Sequence, residues 1–185
     1  MRVFAALPLP AAAIASILES LEPLRQKYPR LRWVNADAMH VTLHFFGEVA
    51  EPRVQRLRGL FERPVMRRRP LHVRLAAFGQ FPPQGRARVI WVGMDNGVDE
   101  VREYWQQFEL LIAAEGWERD PRGFSPHITM ARVGSSFLES DWEKAIKPSG
   151  LEFDLTECVL FESVLERSGP KHLPLARAPF EEAAS

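Results

Sequence analysis

Two pairs of residues have the types and the spacing for proton transfer on a phosphate. The stretch MHVTLHFFGEV (39–49) carries His40 and Thr42, and SPHITMAR (125–132) carries His127 and Thr129. The chain holds five histidines and three threonines, and two of those threonines follow a histidine at this spacing. In a strand, residues two apart share a face with their Cα atoms about 6–7 Å from each other. An imidazole and a hydroxyl at that separation can touch oxygens of one phosphate, the hydroxyl donating to a non-bridging oxygen and the imidazole reaching a bridging or attacking one.

One such pair fits any strand with a polar face. Two of them form a chemical unit. Displacement at phosphorus without a metal uses one proton-transfer group for the entering oxygen and another for the leaving oxygen. Histidine is the side chain whose ordinary pKa lets one copy be neutral and another charged near neutrality. The threonines would anchor the equatorial oxygens and offset developing charge. The same grip could also hold a phosphate without turning it over, in a non-catalytic nucleotide- or RNA-end-binding module; two histidines speak for catalysis, because binding alone is served by arginine or lysine.

A metal centre is the rival use of these histidines. His40 and His44 are four apart, a chelating interval on a helix, but HVTLHFF is rich in β-branched and aromatic residues. On a strand the two lie about 13 Å apart. Asp37 is the nearest carboxylate before His40, and the sequence has neither an HExxH motif nor a cysteine pair, so no metal is expected.

The elements that must carry these residues follow from periodicity. Residues 2–7 (RVFAAL) read as a strand ended by Pro8 and Pro10, and 10–27 as a helix with Ile14, Ile17, Leu18, Leu21 and Leu24 in one stripe. Residues 39–49 alternate, with Val41, Leu43 and Phe45 on one side and His40, Thr42, His44 and Phe46 on the other. A helix over about 51–63 comes next, then strands at 71–81 and 87–94 joined by PPQGR, a helix over about 97–115 and a strand at 126–133. A short helix is expected around 137–147, one or two strands over 151–165, and a last strand in KHLPLARAPF that closes a hairpin through RSGP. Interspersed helices and hairpins imply an α+β fold rather than a doubly wound parallel sheet. The histidine motifs lie 87 residues apart, near half the chain, each preceded by a strand and a helix, which suggests two similar lobes in one domain spanning 1–185.

Composition restricts the partners. Lys plus Arg and Asp plus Glu are 24 each, so no global field draws a polyanionic partner. Arginine outnumbers lysine 20 to 4, which reads as compositional bias, and RPVMRRRP (63–70) as a solvated connector. The single cysteine, Cys158, rules out an internal disulfide and is expected to be buried. The apolar start is broken by Pro8 and Pro10, so it reads as part of the fold, and no apolar run reaches membrane-spanning length. A cytoplasmic protein is expected.

At RVFAALPLP, WVNADAMHVTLHFFGEV, FGQFPPQGRARVIWVG, GFSPHITMARV and LFESVLERSGPKHLPL the chain resembles the RNA 2′,3′-cyclic phosphodiesterase family, also called 2′-5′ RNA ligase-type proteins, within the two-histidine phosphoesterase superfamily. The resemblance covers nearly the whole chain. It implies a bilobal α+β fold of two antiparallel sheets flanked by helices, with pseudo-two-fold symmetry and the motifs facing across a central cleft. It implies metal- and cofactor-free hydrolysis of a terminal ribose 2′,3′-cyclic phosphate on RNA or oligonucleotides to a 2′-phosphate, with His127 as base and His40 as acid, and in some members the joining of RNA ends without ATP. The expected partner is an RNA 3′ end bearing the cyclic phosphate, met by a monomer away from any membrane.

By the same resemblance Arg132 matches an arginine that holds phosphate charge. Strict alternation turns it away from His127 and Thr129, so either the strand ends or bulges before it, or the arginine reaches round the lobe's edge. Phe46, on the face of His40, is the candidate platform for the terminal base. His44 shares that face, His72 reads as a half-exposed strand residue, and Trp33 and Trp91 read as core. His172 stands where related sequences often show tyrosine.

Overall fold

In a computed structural model the protein is described over residues 1–63, 66, 68–121, 123–134, 150–166 and 169–181. The strands are β1 (Arg2–Pro8), β2 (Arg32–Trp33), β3 (His40–Glu48), β4 (Leu71–Phe81), β5 (Val89–Asn96), β6 (Ile128–Arg132), β7 (Glu152–Leu155), β8 (Glu157–Glu166) and β9 (Gly169–Pro179). The helices are α1 (Ala11–Lys27), α2 (Glu51–Phe61) and α3 (Val98–Ala114), with a 3-10 turn at Ala36–Ala38. The expected helix near 137–147 lies outside the described residues.

All strand pairs are antiparallel, in the order β7-β4-β5-β6-β3-β1-β8-β9, with β2 added beside β6. The path has two matching halves. In one, β1, α1 and the motif strand β3 come in succession; in the other, β5, α3 and the motif strand β6 do so. The halves join at β3 and β6 through one registered pair, Val41 with Ile128. The two expected sheets are thus continuous, and the motif strands are neighbours at the seam.

Burial explains why these segments take these forms. β1 is apolar throughout and buried from Val3 to Leu7, as befits a strand covered on both faces. α1 starts after Pro10, whose extended backbone leads into the helix, and buries Ala13, Ile17, Leu21 and Leu24 at intervals of about one turn. The stripe is centred slightly toward Ala13 from the expected one, and Ile14 and Leu18 pack at its border. α2 buries Val54, Leu57, Leu60 and Phe61 and crosses β8 and β9, while α3 packs on β4 and β5. Cys158 is fully buried, as expected. Among the described residues no helix is long and apolar enough to cross a membrane.

One core cluster takes in the helices and the sheet face beneath them, including Val41, Leu43, Ile128 and Met130. Phe4, Ala6 and Val159 are equally buried but stand apart from it. They belong to the opposite sheet face, where the motif residues are found.

Candidate active site

The seam fixes how the two motifs meet. With Val41 opposite Ile128 in an antiparallel pair, the register sets His40 alongside Thr129 and Thr42 alongside His127. Val41 and Ile128 are fully buried on the core side, so the histidines and threonines point together to the other face. All four are half-buried. The structure therefore brings together the two pairs whose spacing stands out in the sequence.

Beyond the threonines both strands depart from simple alternation, and in the same way. On β3, Ala6 pairs with Thr42 and Ala5 with His44, which leaves Leu43 as an extra residue. On β6, Trp91 pairs with Thr129 and Ile90 with Ala131, which leaves Met130 extra. Each is a β-bulge, and each reverses the facing of the residues directly after it, up to Phe45 on β3 and up to Arg132 on β6. On β3 the pairing shifts again at Phe46. Burial matches position for position from histidine onward: Leu43 and His44 are buried and Phe45 exposed, just as Met130 and Ala131 are buried and Arg132 exposed. The bulge returns Arg132, five residues after His127, to the face of the histidines, as one of the two expected alternatives required.

The same bulge corrects the reading of β3. His44 and Phe46 do not share the face of His40. His44 is buried, with Nδ1 at 2.7 Å from Glu109 Oε1 in α3, and Glu109 Oε2 accepts the backbone N–H of Asp120 at 3.1 Å. Phe46 packs against His44 and Trp117, with ring centroids 4.6 and 4.8 Å away. The aromatic on the motif face is Phe45, 58% exposed, which occupies the place that Arg132 has in the other half. A bulge displaces facing without altering the hydrophobic pattern around it, so periodicity alone could not assign Phe45.

Aromatic rings wall each histidine. Phe4 stands 5.0 Å from His40 and is stacked on Phe161, and His172 of β9 meets His40 edge-on at 5.2 Å. On the other side Phe81 lies 4.9 Å from His127, and Trp91 lies 5.9 Å from His127. Trp91 is a wall residue beside Thr129 rather than core, and a Cβ at Gly79 would overlap its ring, so only glycine leaves the indole room. The signal for Trp91 was present in the alternation of VIWV, where Ile90 and Val92 take the core side. Trp33 is half-buried and donates its indole N–H to the Tyr28 carbonyl. His72 is exposed, with Nδ1 2.8 Å from Asp154.

This setting biases the histidines toward the neutral form. Burial is the main cause that pushes His40 from 6.5 down to about 3, and the neighbouring cationic forms of His172, His127 and Arg132 add to it. Burial also lowers His127, against the opposing effect of a hydrogen bond that it donates to a backbone carbonyl. That bond defines the tautomer. Nδ1 of His127 lies 2.7 Å from the Ser125 carbonyl oxygen, which can only accept, so Nδ1 carries the proton and Nε2 presents a lone pair. The electrostatic influence of His127 and Arg132 on His40 places all three within one local field. An anion arriving there would reverse the bias on His40 by favouring its protonated form. Among the described residues no three or more histidine, cysteine, aspartate or glutamate side chains are grouped to hold a metal ion.

Comparison with known proteins gives a consistent picture. A family profile described as LigT-like phosphoesterase matches residues 7–91. The RNA 2′,3′-cyclic phosphodiesterase of Aeropyrum pernix is 30% identical over 76% of this chain and 81% of its own length. The protein of that name from Thermotoga maritima is 27% identical over 98% and 96%. Among solved structures, Escherichia coli LigT complexed with 3′-AMP superposes with a TM-score of 0.78 at 27% identity, covering 98% of each chain.

Proposed function

Because the chain belongs to the LigT-like phosphoesterase family and is similar along most of its length to RNA 2′,3′-cyclic phosphodiesterases, we propose that it opens the terminal 2′,3′-cyclic phosphate of RNA or oligonucleotides to a 2′-phosphate, by acid–base catalysis between two histidines and without a metal. The observation that carries this reading is the antiparallel seam, which sets His40 and His127 on one face with each threonine beside the opposite histidine.

Water attacks phosphorus in line with the 3′-oxygen. Nε2 of His127, left unprotonated because burial favours the neutral ring and Nδ1 carries its one proton toward Ser125, takes the water proton. The P–O3′ bond breaks as the new P–O bond forms, and His40 delivers a proton to the departing ribose oxygen. His40 holds a proton poorly in the empty site and more readily once the phosphate anion is present, so its acid form is coupled to substrate. The hydroxyls of Thr42 and Thr129 donate to non-bridging oxygens, and Arg132, returned to this face by the Met130 bulge, offsets charge in the transition state. After release, solvent restores the proton to His40 and removes one from His127. A ribose 5′-hydroxyl in place of water would form a 2′-5′ linkage by the same path, with no ATP consumed. Phe45 is the platform on which the terminal base stacks. The protein acts as one domain, and as a monomer.

The test is turnover of an oligoribonucleotide ending in a cyclic phosphate, in EDTA, with the product identified by 31P NMR. A 2′-phosphate is expected, with His40→Ala and His127→Ala each slower by about 10²–10⁴-fold while still folded. A 3′-phosphate product, loss of activity in EDTA, or near-normal turnover by either folded variant would refute the assignment.

A further inference from the structure

A third histidine touches the site, and the proposed reaction leaves it unused. His172 lies on β9, opposite Ser163 of β8. Its facing depends on another irregularity: Leu160 pairs with Ala176 and Phe161 with Pro174, so Leu175 is an extra residue and the strand beyond it is turned over. Without that extra residue His172 would point away from Phe161 and Phe4. With it, the imidazole stands edge-on to His40, with centroids 5.2 Å apart and planes at 67°, and edge-on to Phe4 at 4.8 Å and 72°. His40 is thus held between the face of Phe4, tilted 31° from it at 5.0 Å, and the ring of His172.

The contact is more than packing. Nδ1 of His172 is buried with no hydrogen-bond partner among the described residues, so no hydrogen bond at that atom fixes its tautomer there. Burial lowers His172 as it lowers His40, and the charged groups that act on the pair come from two other elements: Asp37 in the 3-10 turn, which partly offsets the effect of burial on His172, and His127 and Arg132 at β6, which disfavour the charged form of His40. Phe4 and Phe161 supply the apolar remainder of the enclosure. Two imidazoles at this distance in so little water cannot both carry a proton at modest cost.

We infer that His172 is a positioning residue for His40: it fixes the angle of the ring and, through its own charge, decides when His40 can take up the proton that the leaving oxygen needs. This rests on the assignment of His40 as the acid. In the free enzyme burial keeps His40 neutral, and His172, itself biased toward the neutral form by burial, opposes protonation of His40 further whenever it carries a proton. When phosphate fills the site, the anion offsets the influence of His172, and protonation of His40 comes after substrate rather than before it.

The experiment tracks the Cε1–H resonance of His40 through a pH titration by NMR in the wild-type chain, His172→Phe and His172→Gln. A parallel measurement takes the pH profiles of kcat and KM on a 2′,3′-cyclic nucleotide. Phenylalanine keeps the apolar ring and removes the charge; glutamine removes both ring and charge. In both variants the His40 midpoint is expected to move to higher pH. The shape of the kcat pH profile should change in both variants; kcat should fall about tenfold in His172→Gln, as loss of ring placement would produce, and less in His172→Phe, and KM should stay within about twofold in both. An unmoved His40 midpoint in two folded variants would overturn the inference, and so would a lower melting temperature with an unchanged pH profile. The NMR arm reads the coupling without turnover, so an inactive wild-type chain would sink the assigned reaction while the His40 midpoint still decided the role of His172.

Discussion

The neutral state of His40 should be measurable as a pH dependence of stability. In the unfolded chain this imidazole titrates near 6.5, and in the folded protein burial, then His172, His127 and Arg132, hold it down to about 3. Below 6.5 the unfolded chain therefore binds a proton that the folded protein resists. Stability from this group is complete above 6.5 and is lost as the pH falls toward 3. The steepest loss is about 1.4 kcal/mol per pH unit, and between pH 6 and 4 it amounts to about 2–3 kcal/mol, an upper bound because the ring keeps a solvent-facing edge. Carboxylates also titrate in this range, so the informative quantity is a difference. Urea unfolding of the wild type and of His40→Asn, at half-unit steps from pH 4 to 7, should give curves that converge toward high pH and separate toward low pH, with the wild type losing more. Sulfate at millimolar concentration should flatten the wild-type curve and leave the variant unchanged. If the two curves stay parallel within about 0.5 kcal/mol, His40 is not held neutral by its surroundings, and its protonation does not wait for substrate.

Phe45→Ala should raise KM for a cyclic-phosphate dinucleotide about 5- to 50-fold, as loss of one stacked base does, with an unchanged melting temperature. Phe46→Ala should do the reverse, costing about 1–3 kcal/mol in urea unfolding through lost packing on His44 and Trp117 with KM unchanged. Arg132→Gln should lower kcat by about 100-fold with a smaller effect on KM, and Arg132→Lys should recover only part of it; full recovery by lysine would show that a point charge suffices. Glu109→Ala should destabilise the fold by about 1–3 kcal/mol by stranding buried His44, measurable by thermal unfolding, with steady-state rates at 20 °C unaltered.

The framework is legible from the chain because hydrophobic periodicity is an average property of a segment. α1, α2 and α3 and the strands at β1, β3, β4, β5 and β6 lie within a few residues of where the apolar spacing puts them. The paired histidines are legible too, since within each motif the threonine stands two places after its histidine, before any irregularity intervenes. Facing after a bulge is not legible. Leu43, Met130 and Leu175 look like ordinary strand residues, and each reverses its strand, so even alternation selects Phe46 where the fold presents Phe45, and it gives no sign of the contact between His172 and His40. β2, two residues long, carries no period at all. Trp91 reads as interior because large aromatic residues usually belong there, whereas the glycine across from it on β4 makes room for it on the face of the motifs.

The matched irregularities in β3 and β6 also prescribe how distant kin could be found. A histidine, a hydroxyl residue two places on, and the next outward side chain three places after that make a count of zero, two, five, in both halves of the chain. Any deletion that restored even spacing would drive the fifth residue into the interior and bring a neighbour out in its stead. Insertions should therefore collect in the connecting loops while this interval stays constant, and a pattern written with that interval will separate true relatives from the many strands that carry a chance histidine and threonine.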